Sequence, residues 1–183
     1  MRSMRMLAAF LVLGAVFCMP AHAVESQERL RPEDVVRLVE AKGARAAAAE
    51  LFADDARWND LLRGTATGGP GWLKAAARLK PGADSRSSES LNMALSEALL
   101  YTPEAVLRLA AGGGIDVADA CAWTGLKELD LGRKSEDVLR FLRARKKAVT
   151  QVAAPGLAEA RGKCLKELER REQATLEEAA GGS

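Results

Sequence analysis

Isoleucine occurs once in the 183 residues of this chain, at Ile115, and most of the apolar residues are alanine or leucine. Alanine and leucine are strong helix formers, whereas strands depend on runs of β-branched residues that this sequence lacks. The apolar residues also recur three and four positions apart, and glycine or proline separates one such run from the next. The sequence therefore predicts an all-α fold, either an antiparallel helical bundle or a short α-solenoid-like stack of about seven to nine helices.

Residues that favour a helix start precede most of these runs, because they cap backbone N–H groups or place proline in the first turn. These starts are Pro32, Asp54, Asp84 or Ser85, Thr102 with Pro103, Ser135 and Pro155. Trp58 and Trp72 lie in register with leucines on the third and fourth helices, so both are expected to be largely buried between those helices. Residues 126–132 are predicted to be irregular.

The first 23 residues have the three parts of a secretory signal peptide. Arg2 and Arg5 form a positive start, and an apolar run extends from residue 6 to residue 19. Ala21 and Ala23 then supply the small residues of a cleavage site, which predicts Val24 as the first residue of the mature protein. The expected location is the periplasm or the exterior.

Two membrane-attached alternatives are less favoured. The apolar run is shorter than the roughly 20 residues that cross a bilayer as a helix, so cleavage is preferred to an anchor. A lipid-modified Cys18 would normally follow a small residue, and here Phe17 precedes it. We therefore divide the chain into a signal peptide (1–23), a flexible N-terminal segment (24–31), a single all-helical domain (32–176) and a disordered tail (177–183), with no stable membrane insertion after cleavage.

The apolar pattern between residues 58 and 107 resembles that of small exported helical proteins from proteobacteria. The shared pattern consists of tryptophans, leucines, alanines, glycines and prolines at fixed spacing: Trp58, Leu61, Leu62, Gly71, Trp72, Leu73, Ala76, Leu79, Gly82, Asp84, Leu91, Ala94, Leu95, Ala98, Leu99, Pro103, Val106 and Leu107. Cys121 and Cys164 also resemble the cysteine positions of that group, and the resemblance covers most of residues 30–170. It implies a helical fold and export, and the group has no assigned activity.

Charge and histidine content exclude several classes of function. The chain has 27 basic and 25 acidic residues, and its first 23 positions hold Arg2, Arg5 and no acid, so the predicted mature protein is neutral. Nucleic-acid binding usually requires a basic excess. The one histidine, His22, lies in the predicted signal peptide, so the mature protein has no histidine for a nucleophile or a metal. We expect no cofactor, no metal and no nucleic-acid partner.

Cys121 and Cys164 are the only cysteines after residue 23. Two cysteines in an exported chain usually pair, and a redox-active thiol is disfavoured because the sequence has no Cys-x-x-Cys spacing. Cys164 also shares an apolar stripe with Leu157 and Leu168, which points its side chain into the core. The sequence therefore predicts a structural Cys121–Cys164 disulfide.

A few carboxylates are candidates for chemistry. Exported glycan-cleaving enzymes can work with one or two acids and no histidine, and Glu89, near the start of the fifth helix, is the nearest candidate for a glutamate acting on peptidoglycan. The glycine- and aromatic-rich groove segments typical of such enzymes do not surround it. Asp116 and Asp119 could share a helix face and attract a cation, although negative charge at a helix start is the commoner role.

Three further patterns are better explained structurally. Glycine-rich segments 68–71 and 112–114 lack the preceding strand of a phosphate loop, so they are expected to end helices. Trp58, Trp72 and Trp123 could form a ligand platform, but tryptophans on apolar stripes usually lie in the core. The basic run 143–147 is expected to be a solvated helix face.

Two functional hypotheses follow. The first is a non-catalytic periplasmic protein that acts through interaction with another envelope protein, as an adaptor, a chaperone-like factor, or an immunity or inhibitor protein. The second is a small cell-envelope hydrolase acting on peptidoglycan through a glutamate. The first is preferred because it requires no catalytic residues.

Overall fold

The computed structural model describes residues 29–123 and 135–181. The predicted signal peptide, its cleavage site at Ala21, Ala23 and Val24, the expected irregular stretch 126–132 and the last two residues lie outside this part. In the described residues the chain forms nine α-helices and two 3₁₀ turns with no strand, which confirms the all-α prediction. None of the helices in these two ranges is both long and apolar enough to cross a membrane.

The helices, in chain order, are α1 (Pro32–Lys42), α2 (Ala44–Phe52), α3 (Asp55–Ala66), α4 (Pro70–Leu79), α5 (Ser85–Ala98), α6 (Pro103–Ala111), α7 (Val117–Cys121), α8 (Ser135–Thr150) and α9 (Ala158–Gly181). The 3₁₀ turns cover Lys80–Gly82 and Pro155–Leu157.

Three aspartates cap helices through their side chains. Asp54 accepts hydrogen bonds from the backbone N–H groups of Ala56 and Arg57, both at 3.1 Å, at the start of α3. Asp84 caps α5 and Asp116 caps α7. These bonds satisfy N–H groups that have no partner within a helix. The caps at Asp54 and Asp84 confirm the predicted helix starts.

The apolar residues form two clusters that meet at α4 and α5. The N-terminal cluster packs α1 to α4 against the first half of α5, with Val35, Leu51, Leu61, Leu79 and Leu91 fully covered. The C-terminal cluster packs the second half of α5 against α6 to α9. Leu73 of α4 and Leu95 of α5 belong to the C-terminal cluster, although both helices also contribute to the N-terminal one. Helices α4 and α5 are therefore shared by both clusters.

The two tryptophans that the sequence expected in the core differ in their burial. Trp58 is buried, its ring lies edge-on to Phe52 at 5.2 Å, and its indole N–H donates to the Ser90 hydroxyl at 3.3 Å. Trp72 is partly buried: its ring lies against α3 at Gly64 and packs against the N-terminal cluster, but it is covered less completely than Trp58. It sits in the first turn of α4, at an edge of the helix packing, where neighbouring helices cover only part of its ring.

Helices α8 and α9 pack antiparallel. Two charged pairs between them show this orientation, since the later residue of α8 pairs with the earlier residue of α9. Arg143 contacts Glu172 at 2.9 Å, and Lys146 contacts Glu169 at 3.3 Å. The hydrogen bond from Arg143 lowers the pKa of the Glu172 carboxyl, partial burial opposes this shift, and the charge of Lys146 adds to the lowering.

Both ends of the described chain are more ordered than the sequence suggested. Leu30, in the segment expected to be flexible, is buried in the N-terminal cluster. Helix α9 continues to Gly181, past residue 177 where the tail was expected to begin. The alanines and glutamates of this stretch favour helix, and extending a helix that is already formed costs far less than nucleating one. Their side chains are exposed, so the extension adds no core packing.

Candidate functional site

An open groove of about 530 Å³ lies where the start of α1 meets α3 and α4. It is within the roughly 300–1,000 Å³ usual for ligand sites. We call it the Trp72 groove. Its lining is rich in arginine and holds one carboxylate and one tryptophan: Arg29, Leu30, Arg31, Pro32, Asp60, Arg63, Gly64, Thr67 and Trp72.

Asp60 organises the base of the groove. Its carboxylate accepts a hydrogen bond from the backbone N–H of Leu30 at 3.2 Å and another from the Arg63 guanidinium at 2.6 Å. Arg29 lies 3.9 Å from the same carboxylate. The backbone bond ties the segment preceding α1 to α3, and it explains why Leu30 is held in the cluster.

The other side of the groove is formed by the Trp72 indole lying against α3. A Cβ added at Gly64 would be 2.3 Å from the Trp72 ring, so the ring approaches the α3 backbone as closely as only glycine permits. The hydroxyl of Thr67 donates to the Gly64 carbonyl at 2.7 Å at the end of α3. Gly64 thus sets how far the indole sits from α3.

The surface that the groove presents to a ligand is positive. The side chains of Arg29, Arg31 and Arg63 are 84%, 59% and 66% exposed, whereas that of Asp60 is 14% exposed. The guanidinium groups therefore stand at the surface above a covered carboxylate. Guanidinium groups bind carboxylates through paired hydrogen bonds, and an indole face accepts apolar groups.

Arg31 also stabilises the start of α1. Its backbone N–H donates to the Asp34 carboxylate at 3.0 Å, and its guanidinium Nε lies 3.3 Å from the same group. Partial burial would raise the pKa of Asp34, but the hydrogen bonds and charge of Arg31, helped by the charge of Arg37, outweigh it and lower that pKa. Asp34, in the first turn of α1, thus holds the Arg31 guanidinium in place beside the groove.

A second polar cluster lies inside the fold, around Arg145 of α8. The Arg145 side chain is fully buried, and its guanidinium donates to the Trp123 carbonyl at 2.7 Å and to the Ser96 hydroxyl. Ser96, on α5, donates to the same carbonyl at 2.7 Å. The interpretation of residues 143–147 as a solvated face is therefore wrong for Arg145. Arg145 lies on the same side of α8 as Val138, Leu142 and Val149, and this side faces the core.

The acids proposed as a cation site have structural partners. Asp119 lies 2.9 Å from the Lys80 ammonium, and it accepts from the Asn92 side chain at 3.2 Å. Lys80 also donates to Ser88 at 2.6 Å, which links the 3₁₀ turn, α5 and α7. Asp116 caps α7 by accepting from the Ala118 N–H at 2.7 Å. Within the described ranges no group of three or more potential metal ligands occurs.

The remaining sequence candidates lie apart from one another. Glu89 is exposed on α5 and does not line the Trp72 groove. Trp58 belongs to the core and Trp72 to the groove, so the tryptophans do not form a shared platform. Gly68 and Gly69 lie between α3 and α4, whose first two residues are Pro70 and Gly71, and residues 112–114 lie between α6 and α7.

The structure contains the predicted disulfide between Cys121 and Cys164. Their Cα atoms are 5.4 Å apart, and both residues are fully buried in the C-terminal cluster. The bond joins α7 to α9 and fits an oxidising compartment.

Sequence reasoning did not identify the Trp72 groove or the role of Arg145. Arginines alternate with Leu30 and Pro32 at the start of α1, and this alternation was a signal for the groove. The partners of these residues, Asp60 and Arg63, lie about 30 residues later in the chain. For Arg145 the signal was its place in the heptad-like stripe of α8.

Comparison with known proteins returned no relative. No protein-family model, no curated protein and no solved structure matches this chain.

Proposed function

We propose that this chain is an exported, non-catalytic protein that acts by binding another envelope protein. The observation that carries the proposal is the Trp72 groove, which combines a partly buried indole with exposed guanidinium groups where three helices meet. Aromatic residues and arginine are the types most enriched at the energetic centres of protein interfaces.

Two further observations support this function. The buried disulfide suits the oxidising environment that an exported protein enters. The acids that first suggested chemistry, Asp116 and Asp119, serve as a helix cap and as the partner of Lys80. Glu89, the candidate for peptidoglycan cleavage, is exposed on a helix surface, so we retain the binding function.

Export is tested by fractionating cells that express the full chain and by mass spectrometry of the envelope fraction. The expected mature protein begins at Val24. An intact Met1 in a membrane fraction would contradict export with cleavage.

The role of the groove is tested by filling it without changing charge. Thr67 lines the groove at the end of α3, and Thr67→Trp is expected to abolish capture of a specific envelope partner by the tagged protein. Thr150→Trp is the matched control, since Thr150 is also exposed at a helix end and donates to a backbone carbonyl, but lies outside the groove. Equal capture by both variants would refute the assignment.

A further inference from the structure

We propose that the Trp72 groove takes an acidic peptide segment of the partner protein, with carboxylates on Arg29 and Arg63 and an apolar side chain on the Trp72 indole. This inference rests on the proposed function and deepens it by naming the chemistry of the partner.

Charge complementarity selects an acidic segment. Arg29 and Arg63 expose most of their side chains, and the one lining carboxylate, Asp60, is mostly covered. A guanidinium has several N–H donors, so Arg63 can bind a second carboxylate while one nitrogen stays on Asp60. A basic segment would meet like charge in the same place.

The positive surface is local rather than a property of the whole molecule. Residues 24–183 hold equal numbers of basic and acidic residues, so there is no general attraction for polyanions. Charged pairs elsewhere on the surface, such as Lys42 with Glu50 at 2.5 Å, neutralise each other. Recognition of an acidic segment must therefore come from the arginines of the groove and not from net charge.

The groove is also prepared for its ligand before binding. Asp60 anchors Arg63 and the backbone of Leu30, and Gly64 lets the Trp72 ring rest on α3. Groups held in place in this way lose little conformational freedom when a ligand binds. The pairing of the anchored Arg63 guanidinium with an indole favours a segment that combines acidic residues with an apolar one.

The test is selection of displayed random peptides on the oxidised protein purified after expression with its own first 23 residues. We expect selected peptides to be enriched in Asp and Glu beside a large apolar residue. The best peptide is then synthesised in its acidic form and with each acid replaced by its amide. The acidic form should bind about tenfold more tightly, as expected for one charge-assisted hydrogen bond, and the difference should shrink as salt is raised.

Variants assign the binding to the groove. Arg63→Glu and Arg29→Glu should each weaken the acidic peptide by about tenfold or more. Arg78→Glu, an equal charge change at an exposed position of α4 outside the groove lining, should leave the affinity unchanged. Arg29 is 84% exposed, so its variant tests the idea even if Arg63→Glu disturbs Asp60 and folding.

Three results would overturn the inference: selected peptides no richer in acids than the library, equal affinity for the acidic and amide forms, or an equal loss with Arg78→Glu. Association of the chain with a second copy through the groove, in place of peptide binding, would also overturn it. If Thr67→Trp blocks a natural partner while Arg29→Glu and Arg63→Glu do not, the proposed binding function stands and the acidic ligand is rejected. If Thr67→Trp has no effect on any partner, the proposed function itself fails.

Discussion

Removing the Cys121–Cys164 bond is expected to destabilise the protein by about 4 kcal/mol. The two cysteines are 43 residues apart, and the chain-entropy relation for a loop of that length gives about 4 kcal/mol at 25 °C. This is a large share of the roughly 5–15 kcal/mol by which domains are usually stable. The double variant Cys121→Ala/Cys164→Ala should lose about 1–2 kcal/mol more, because each missing sulfur leaves a small cavity in the C-terminal cluster.

Urea unfolding followed by far-ultraviolet circular dichroism measures both contributions. The oxidised protein, the protein with its disulfide reduced, and the double alanine variant are compared under identical conditions. The step from oxidised to reduced reports the effect of the loop, and the step from reduced to double alanine reports packing. A loss below about 1 kcal/mol on reduction would refute the argument that this bond restricts the unfolded chain.

Five other substitutions test the burial of two tryptophans, the close packing of one glycine in comparison with another in open space, and the charge pair of Glu172. Trp58→Ala should cost about 3–5 kcal/mol and Trp72→Ala less, because the first indole is buried and the second only partly; equal losses in thermal or urea unfolding would contradict this difference. Gly82→Ala should cost about 1–3 kcal/mol, because its Cβ would lie 2.1 Å from the backbone of α2, whereas Gly162→Ala, in open space on α9, should stabilise by up to about 1 kcal/mol. Destabilisation by both alanines would count against this explanation. Glu172→Gln should destabilise by at most about 1 kcal/mol at neutral pH. Its folded pKa is lowered, so the stability it contributes is present above its ordinary value of 4.5 and is lost as pH falls through the folded pKa. A difference from wild type that stays constant from neutral to strongly acidic pH would contradict this.

The helices and the disulfide were predictable because local and compositional rules govern them. Asp54 and Asp84 are side chains that cap within three residues of themselves, so a short stretch of sequence determines the start of α3 and α5. The pairing of Cys121 with Cys164 followed from their being the only cysteines after residue 23. Neither inference needed the arrangement of distant helices.

Tertiary packing decided which side chains form the Trp72 groove. Trp58 and Trp72 have similar apolar neighbours in sequence, but the first is buried in contact with Phe52 and Ser90, whereas the second is only partly buried beside Gly64. A tryptophan on an apolar stripe is covered only where a second helix crosses that stripe, and sequence periodicity does not place the crossing.

For charged side chains too, local sequence determines the helix on which they lie, and packing determines their burial. Local sequence identified residues 143–147 as a basic helix segment, but whether a given arginine meets water or a carbonyl depends on what lies across from it. Arg145 meets Ser96 and the Trp123 carbonyl, both far away in the chain, and these two acceptors hold one guanidinium nitrogen inside the fold. Arg63 likewise becomes part of a groove only because Leu30 and Trp72 are brought to it by the fold. Sequence by itself thus determined the helices, their caps and the cysteine pair, whereas the long-range packing of those helices determined which cations are buried and which line the Trp72 groove.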